Sequence, residues 1–146
     1  MFAYSAHDRK SPEFPELAGK RIVIIDDEAV ISVDYWFQLL EIGARPQAVL
    51  PTNTGALSFL ETHLVDAVIL DYRLRDGTSE PVMAWLRDHG TPFVIISGWV
   101  QKLPNPTTGA AILEKPASSA DLRRALASVF PKMNLKAESG TPRFVD

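Results

Sequence analysis

Short apolar runs alternate with amphipathic segments along most of the chain. The first run, from Arg21 to Ile25, is rich in β-branched residues and stops at Asp26, which is typical of a strand buried on both faces. Similar runs predict four more strands, at residues 47–50, 67–70, 92–96 and 110–113. Apolar positions at helical spacing predict helices at residues 29–42, 54–63 and 79–89, and a last helix that opens at Ser118.

Strands that alternate with helices predict an α/β fold with a parallel sheet, because each parallel connection needs a crossover. We expect a doubly wound five-stranded sheet in the order 2-1-3-4-5, with ligands bound at the carboxyl ends of its first and third strands. The helix between the last two strands is expected to be short, irregular or absent, since that segment contains Pro104 and Pro106.

The length of 146 residues suits one ordinary domain with short extensions. We expect residues 1–18 to be a flexible lead-in, residues 19–130 to form the domain, and residues 131–146 to be a tail too short for an output domain. An apolar content of 46% is enough for a buried core. The absence of cysteine excludes disulfides and thiolate metal sites.

The net charge of −3 argues against a dedicated nucleic-acid-binding protein, which usually carries a basic face for phosphates. The sequence also contains no apolar run of about 20 residues, the length that crosses a bilayer, and no signal-peptide core at its start. We therefore expect a cytoplasmic protein that binds neither nucleic acid nor membrane.

The unusual polar residues lie where predicted strands end. Asp26 and Asp27 follow the first strand, Asp71 the third, Ser97 the fourth and Lys115 the fifth. Parallel strands bring these ends to one edge of the sheet, and three carboxylates close together repel one another, so the cluster favours a cation. Only oxygen ligands are available there, which makes Mg²⁺ the natural ion. Lys115 and Ser97 suit phosphoryl oxygens, and Asp71 is the predicted nucleophile that accepts the phosphoryl group.

Each of these features has an ordinary explanation when taken alone. An acidic pair after a strand often serves the N-terminus of the next helix, Asp71 and the Ser97-Gly98 pair suit turns, and a lysine is usually a solvated surface residue. Their coincidence at the ends of four strands favours a common site over four unrelated features.

This combination resembles the receiver domain of response regulators. The resemblance spans residues 19–130 and depends on the order and spacing of four motifs: IVIIDDE at 22–28, VILD at 68–71 with Gly77 six residues later, IISG at 95–98, and KP at 115–116. It implies a flavodoxin-like (βα)5 fold and a stand-alone response regulator of a two-component system or phosphorelay. Such a protein catalyses its own phosphorylation and dephosphorylation on aspartate and needs no metabolic substrate.

The resemblance implies that Asp71 accepts a phosphoryl group from phosphohistidine on a histidine kinase or a histidine phosphotransfer protein. Mg²⁺ would be bound directly by Asp27 and Asp71, through water by Asp26, and by the backbone carbonyl of Arg73. The Arg73 side chain flanks the path of an attacking water and is expected to influence the lifetime of the acyl phosphate. The phosphorylated protein would then contact a downstream protein that the sequence does not identify, shuttle the phosphate onward, or drain it from a kinase.

Ser97 and Lys115 would contact the bound phosphoryl group, and the peptide bond between Lys115 and Pro116 is expected to be cis. The chain departs from the family at Ile112, three residues before the lysine, where many receivers carry a switch aromatic. This departure, together with the Ser-Gly-Trp run that ends at Trp99, resembles a stand-alone receiver subgroup from alphaproteobacteria. Trp99 either modulates the lifetime of the acyl phosphate or simply anchors its loop.

The predicted first helix carries two apolar lines. One line, assigned to the core, consists of Val33, Trp36, Phe37 and Leu40, and the second consists of Ile31, Tyr35 and Leu39. In receivers this helix docks against the helical bundle that carries the phosphohistidine, so we predict that Ile31, Tyr35 and Leu39 contact the phosphate donor. The alternative is that neighbouring elements of the fold cover these three residues.

Two other functions remain open. The first is an interaction module on the same fold, in which the carboxylates persist without being phosphorylated. The second is a phosphohydrolase that forms an aspartyl phosphate, but the haloacid-dehalogenase pattern has a second aspartate two positions after the nucleophile, where this chain has Arg73. Nucleotide binding is disfavoured because the chain has neither a G-x-G-x-x-G run nor a P-loop.

Overall fold

The computed structural model of the protein describes residues 14–98, 103 and 110–130. Its strands are β1 (Arg21–Ile25), β2 (Arg45–Leu50), β3 (Ala67–Asp71), β4 (Arg73–Leu74), β5 (Gly77–Thr78), β6 (Phe93–Ser97) and β7 (Ala110–Glu114). Its helices are α1 (Ala29–Glu41), α2 (Asn53–Thr62), α3 (Glu80–Asp88) and α4 (Ser119–Val129). None of these helices is both long and apolar enough to cross a membrane.

Five of the strands form one parallel sheet in the order β2-β1-β3-β6-β7. This order confirms the predicted α/β fold and the predicted arrangement 2-1-3-4-5, with β6 and β7 as the fourth and fifth strands of the sheet. The inner strands β3 and β6 are buried at every residue, as expected for strands that are covered on both faces. β2 lies at an edge, where Pro46 sits beside an irregularity in the pairing with β1.

Helices cover both faces of the sheet, because alternate residues of each strand point to opposite sides. Ile24 belongs to the core that the sheet shares with α1 and α4, whereas its neighbour Ile25 belongs to the core shared with α2 and α3. Burial of both faces leaves the ends of the strands as the places where polar side chains meet solvent.

A short hairpin that the apolar pattern did not predict follows β3. Its two strands, β4 and β5, pair antiparallel on either side of Arg75 and Asp76. Gly77 has a φ of 128°, a backbone conformation that favours glycine. An Asp-Gly pair is a known sequence signal for a turn of this kind. The hairpin carries the chain from the end of β3 to the start of α3.

The fold begins earlier than the predicted boundary. Residues Pro15–Leu17 form a 3₁₀ turn, and Leu17 is fully buried in the core shared with α1 and α4. The prediction of a flexible lead-in is therefore wrong for residues 14–18, because Phe14 and Leu17 add apolar surface to that core. The predicted tail at 131–146 lies outside the described residues, as does most of the segment predicted to hold a short fourth helix.

Helix α1 turns a different side to the core from the one predicted. Tyr35 and Leu39 are buried, and Ile31 is half-buried against the same core, so the prediction that these three residues form a docking surface is wrong. The helix is apolar on most sides, and for that reason periodicity alone does not decide which line packs on the sheet. Four large apolar side chains of the helix are instead 51–84% exposed. We call them the exposed α1 face, and they are Val30, Val33, Phe37 and Leu40.

Candidate functional site

Four strands of the parallel sheet deliver polar side chains to one edge. Asp26 and Asp27 follow β1, Asp71 ends β3, Ser97 ends β6 and Lys115 follows β7. The carboxyl ends of these parallel strands lie side by side. The Lys115 N–H also donates a hydrogen bond of 2.8 Å to the Ser97 carbonyl. The structure therefore brings the five predicted side chains to the same edge of the sheet.

Three carboxylates form the centre of the site. One oxygen from each of Asp26, Asp27 and Asp71 lies within 4.8 Å of the others. Asp26 Oδ1 accepts a hydrogen bond of 2.8 Å from the Glu28 N–H, whereas its buried Oδ2 accepts none within the part of the chain that the structure describes. A buried carboxylate oxygen without a donor is costly, and the approach of a cation removes that cost.

Burial raises the pKa of two of these carboxylates. It raises the pKa of Asp26 to about 6, with the Glu28 hydrogen bond opposing the shift and the charge of Asp71 adding to it. Burial also raises the pKa of Asp71, and the nearby Lys115 opposes that shift. A divalent cation would favour the ionised forms of both. Carboxylate oxygens are hard ligands, and this donor set is compatible with Mg²⁺.

Lys115 supplies the positive charge of the site. Its Nζ lies 2.6 Å from Glu28 Oε1, 3.2 Å from Asp71 Oδ2 and 3.7 Å from Asp26 Oδ2. Burial lowers the pKa of the amine, but the hydrogen bond to Glu28 and the charges of Asp71 and Asp26 outweigh burial and raise this pKa above its ordinary value. The lysine is therefore a permanent cation beside Asp71. Glu28 was not among the predicted site residues. The sequence shows it only as the third acidic residue after β1.

Several solved structures share this fold. SdrG from Sphingomonas melonis Fr1 is 30% identical, with a TM-score of 0.68, and the match covers 76% of this chain and 96% of that one. A response regulator receiver domain (CheY-like) from Methylobacillus flagellatus is 24% identical, with a TM-score of 0.67 over 77% of this chain and 100% of that one. The chain belongs to the response-regulator receiver family.

The same receiver fold occurs in the REC domain of the PhyR response regulator from Erythrobacter litoralis. That domain is 19% identical, with a TM-score of 0.68, and the match covers 80% of this chain and 98% of that one. At this identity the likeness shows the fold alone. No family model and no curated protein matches the sequence.

The backbone that follows β3 lies beside the carboxylate of Asp71. The Arg73 N–H lies 3.4 Å from Asp71 Oδ1, so the main chain after β3 borders the carboxylate while the Arg73 side chain is exposed. Ser97 is buried at the end of β6. The peptide bond between Lys115 and Pro116 is cis, which confirms that expectation. Metal coordination by the Arg73 carbonyl stays a prediction.

Ile112 and Trp99 are the two residues that the sequence predicted as modulators of the receiver. Ile112 lies on the edge strand β7, pairs with Ile95 of β6, and is 38% exposed. The aromatic ring that many receivers carry at this position is therefore replaced here by a partly exposed aliphatic side chain. Trp99, the other predicted modulator, lies outside the described residues.

A second set of residues, which the sequence did not single out, positions the loop after Asp71. Asp76 Oδ1 accepts hydrogen bonds from the backbone N–H of Asn53 at 2.8 Å and from its side-chain amide at 3.1 Å. The same amide donates to the Thr78 carbonyl at 2.9 Å. These bonds tie the β4–β5 hairpin to the start of α2, which restrains the segment that leaves Asp71. In the sequence, the Asp-Gly pair at 76–77 indicates the turn of this hairpin, but nothing there indicates that the hairpin bonds to Asn53.

Proposed function

We propose that this protein is a response regulator that accepts a phosphoryl group on Asp71 from a phosphohistidine, with Mg²⁺ as cofactor. The proposal rests on the meeting of three carboxylates with one lysine at the end of β3, where Lys115 Nζ lies 3.2 Å from Asp71 Oδ2. This arrangement combines a nucleophile, a set of metal ligands and a fixed cation. Membership of the receiver family supports the same chemistry.

Asp71 is the nucleophile in this proposal. One of its carboxylate oxygens attacks phosphorus, so that a P–O bond forms while the P–N bond to histidine breaks. The electron pair of that bond stays on the imidazole nitrogen. Asp27, Asp71 and the Arg73 carbonyl would hold Mg²⁺, with Asp26 binding it through water, and the ion would supply positive charge that offsets the negative charge of the phosphoryl group.

Two further residues bind the transferred group. Lys115 carries its charge before and after transfer, so it offsets part of the nearly two negative charges that a phosphoryl group adds. Ser97 offers a hydroxyl donor at the same edge of the sheet. Contacts to both residues favour the active form of a pre-existing equilibrium. Because Ile112 replaces the switch aromatic, this equilibrium works without rotation of a ring at that position.

The exposed α1 face is the proposed contact surface for the phosphate donor, a histidine kinase or a histidine phosphotransfer protein. Four large apolar side chains lie in solvent on this one helix, and the largest of them, Phe37, is 59% exposed. Contiguous exposed apolar patches mark protein interaction sites. Helix α1 begins two residues after Asp27, so its first turn lies next to the carboxylate cluster. The phosphorylated protein then acts in the cytoplasm on a downstream protein or passes its phosphate on.

Phosphorylation of the purified protein by a small donor tests the proposal. We expect the intact mass to increase by one phosphoryl group after incubation with acetyl phosphate and Mg²⁺. Asp71→Asn and a sample with excess EDTA should show no increase, whereas Asp88→Asn, which removes an exposed acid on α3, should behave as the wild type. A folded wild type that gains no phosphoryl group from acetyl phosphate or from a phosphorylated histidine kinase overturns the proposal and favours the interaction module.

A further inference from the structure

Glu28 is a closer partner of Lys115 than the proposed acceptor Asp71 is. The Lys115 Nζ lies 2.6 Å from Glu28 Oε1 and 3.2 Å from Asp71 Oδ2, so two carboxylates share one ammonium group. The Glu28 side chain is 53% exposed, compared with 8% for Asp71. The lysine is therefore held between a carboxylate in solvent and a carboxylate in the site.

The position of Glu28 leaves its carboxylate free for this contact. Glu28 is the N-cap residue of α1, but its side chain makes no capping hydrogen bond. Its backbone N–H donates to Asp26 Oδ1, which fixes the point from which the side chain extends. Glu28 is also not a member of the group of three converging carboxylates found among the described residues. Its side chain thus reaches the site through Lys115 and not through the set of metal ligands.

We propose that Glu28 retains Lys115 in the unphosphorylated protein and competes with the phosphoryl group on Asp71 for this lysine. The inference rests on the proposed function, since the phosphoryl group is the competitor. Phosphorylation brings nearly two negative charges and three acceptor oxygens within reach of the ammonium group. The flexible stem of lysine, with three donors at its end, lets it turn from Glu28 to these oxygens. Glu28 is then a positioning residue that sets how readily the phosphorylated arrangement forms.

The exposure of Glu28 determines the expected size of the effect. An ion pair with one partner in solvent is weak, because water and salt screen it. The pair therefore delays the transfer of Lys115 to the phosphoryl oxygens without preventing it. We expect removal of the Glu28 carboxylate to tighten the binding of a phosphoryl mimic about 2- to 5-fold.

Beryllofluoride, which mimics a phosphoryl group on aspartate, tests this competition in the full chain at saturating Mg²⁺. Titration calorimetry should give a Kd that is lower for Glu28→Gln than for the wild type. Glu41→Gln is the matched control, because it removes a glutamate of the same helix that forms a 2.8 Å ion pair with Arg123. We expect this control to keep the wild-type Kd.

A second set of variants separates the contact with Lys115 from a general effect of charge. In a Lys115→Gln background, Glu28→Gln should leave the Kd unchanged, and an equal tightening there overturns the competition. Glu28→Asp keeps the negative charge but moves it one methylene away from Lys115. This variant therefore tests the contact independently if Lys115→Gln does not fold or does not bind the mimic. Tightening in Glu28→Asp supports the contact, and a wild-type Kd contradicts it.

The two proposals fail in different ways in this experiment. A wild type that binds no beryllofluoride at saturating Mg²⁺ contradicts the proposed function, and with it the competition. A wild type that binds the mimic with the same Kd as Glu28→Gln contradicts the competition alone and leaves Asp71 as the phosphoryl acceptor.

Discussion

Asp76 caps helix α2 from 23 residues away in the sequence, where its Oδ1 accepts the backbone N–H of Asn53 at 2.8 Å. Its Oδ2 accepts the N–H of Thr54 at 3.3 Å. The hydroxyl of the N-cap residue Thr52 accepts a third N–H, that of Gly55, so two separate side chains satisfy the first turn of the helix. The hydrogen bond from Asn53 lowers the pKa of Asp76 below its ordinary value. The segment after Asp71 is thereby joined to the neighbouring loop by a charged cap.

Replacement of Asp76 should destabilise the protein through this helix end. We expect Asp76→Ala to lower the melting temperature by a few degrees, on the order of 2–6 °C, because two N–H groups lose their acceptor. Circular dichroism of thermal unfolding measures the change. Asp88→Ala, which removes an exposed acid at the end of α3, is the control and should leave the melting temperature close to that of the wild type. An Asp76→Ala protein as stable as this control would show that the cap contributes nothing.

The packing of α1 makes a sharp prediction for two adjacent leucines. Leu39 is fully buried in the core, whereas Leu40 is 51% exposed. We expect Leu39→Ala to lower the free energy of unfolding by about 2–5 kcal/mol, because it leaves a cavity. Leu40→Ala should change the same free energy by less than about 1 kcal/mol. Urea denaturation of both variants decides which line of α1 packs on the sheet, and the reverse order of stabilities would restore the face that periodicity favoured.

The sheet and its site were predictable because they depend on patterns within single segments. Buried runs identify strands, and the parallel arrangement then brings Asp26, Asp71 and Lys115 to one edge without knowledge of any side-chain contact. The features that were missed depend on contacts between distant segments. Glu28 is 87 residues from its partner Lys115, and only the fold shows that the two meet. The predicted orientation of α1 was wrong because both of its apolar lines satisfy helical spacing, and only the contacts with the sheet decide between them.

The ion pair between Arg21 and Asp66 should give the protein a defined response to acid. The Arg21 N–H, Nε and Nη2 donate to the Asp66 carboxylate at 2.7–3.0 Å, and the Arg21 hydrogen bond lowers the pKa of Asp66 below its ordinary value of 3.8. A carboxyl group whose pKa is lower in the folded state stabilises the fold above its unfolded pKa. That stabilisation is lost as the pH falls through the folded pKa.

We therefore expect Asp66→Asn to be less stable than the wild type at pH 7, and we expect this difference in stability to decrease as the pH falls below 3.8, the ordinary pKa of the carboxyl group. Urea midpoints of both proteins, measured at pH 7 and at pH 2.5, give the comparison. Asp88→Asn serves as the control for loss of one acidic charge. A stability gap between Asp66→Asn and the wild type that stays constant over this range would argue against the pair as the cause.

Binding of Mg²⁺ should stabilise the fold through the three carboxylates. At a free concentration 100 times the Kd, a ligand that binds only the folded state adds about 2.7 kcal/mol to the free energy of unfolding. We expect the melting temperature of the wild type to rise with MgCl₂ and that of Asp27→Asn to stay flat, in buffers held at constant ionic strength with KCl. Asp34→Asn removes an exposed acid of α1 and should retain the response. An equal rise in all three proteins would indicate a general salt effect.

The exposed α1 face should control phosphotransfer from a protein donor. We expect Phe37→Asp to slow transfer from a phosphorylated histidine phosphotransfer domain about tenfold or more, because a charge would enter an apolar contact that loses water on binding. Transfer from acetyl phosphate should be unchanged, since Phe37 is 59% exposed and its replacement leaves the core intact. Leu64→Asp is the matched control, as Leu64 is 75% exposed but lies beyond the end of α2. Equal rates for Phe37→Asp and Leu64→Asp with the protein donor would remove this face from the docking surface.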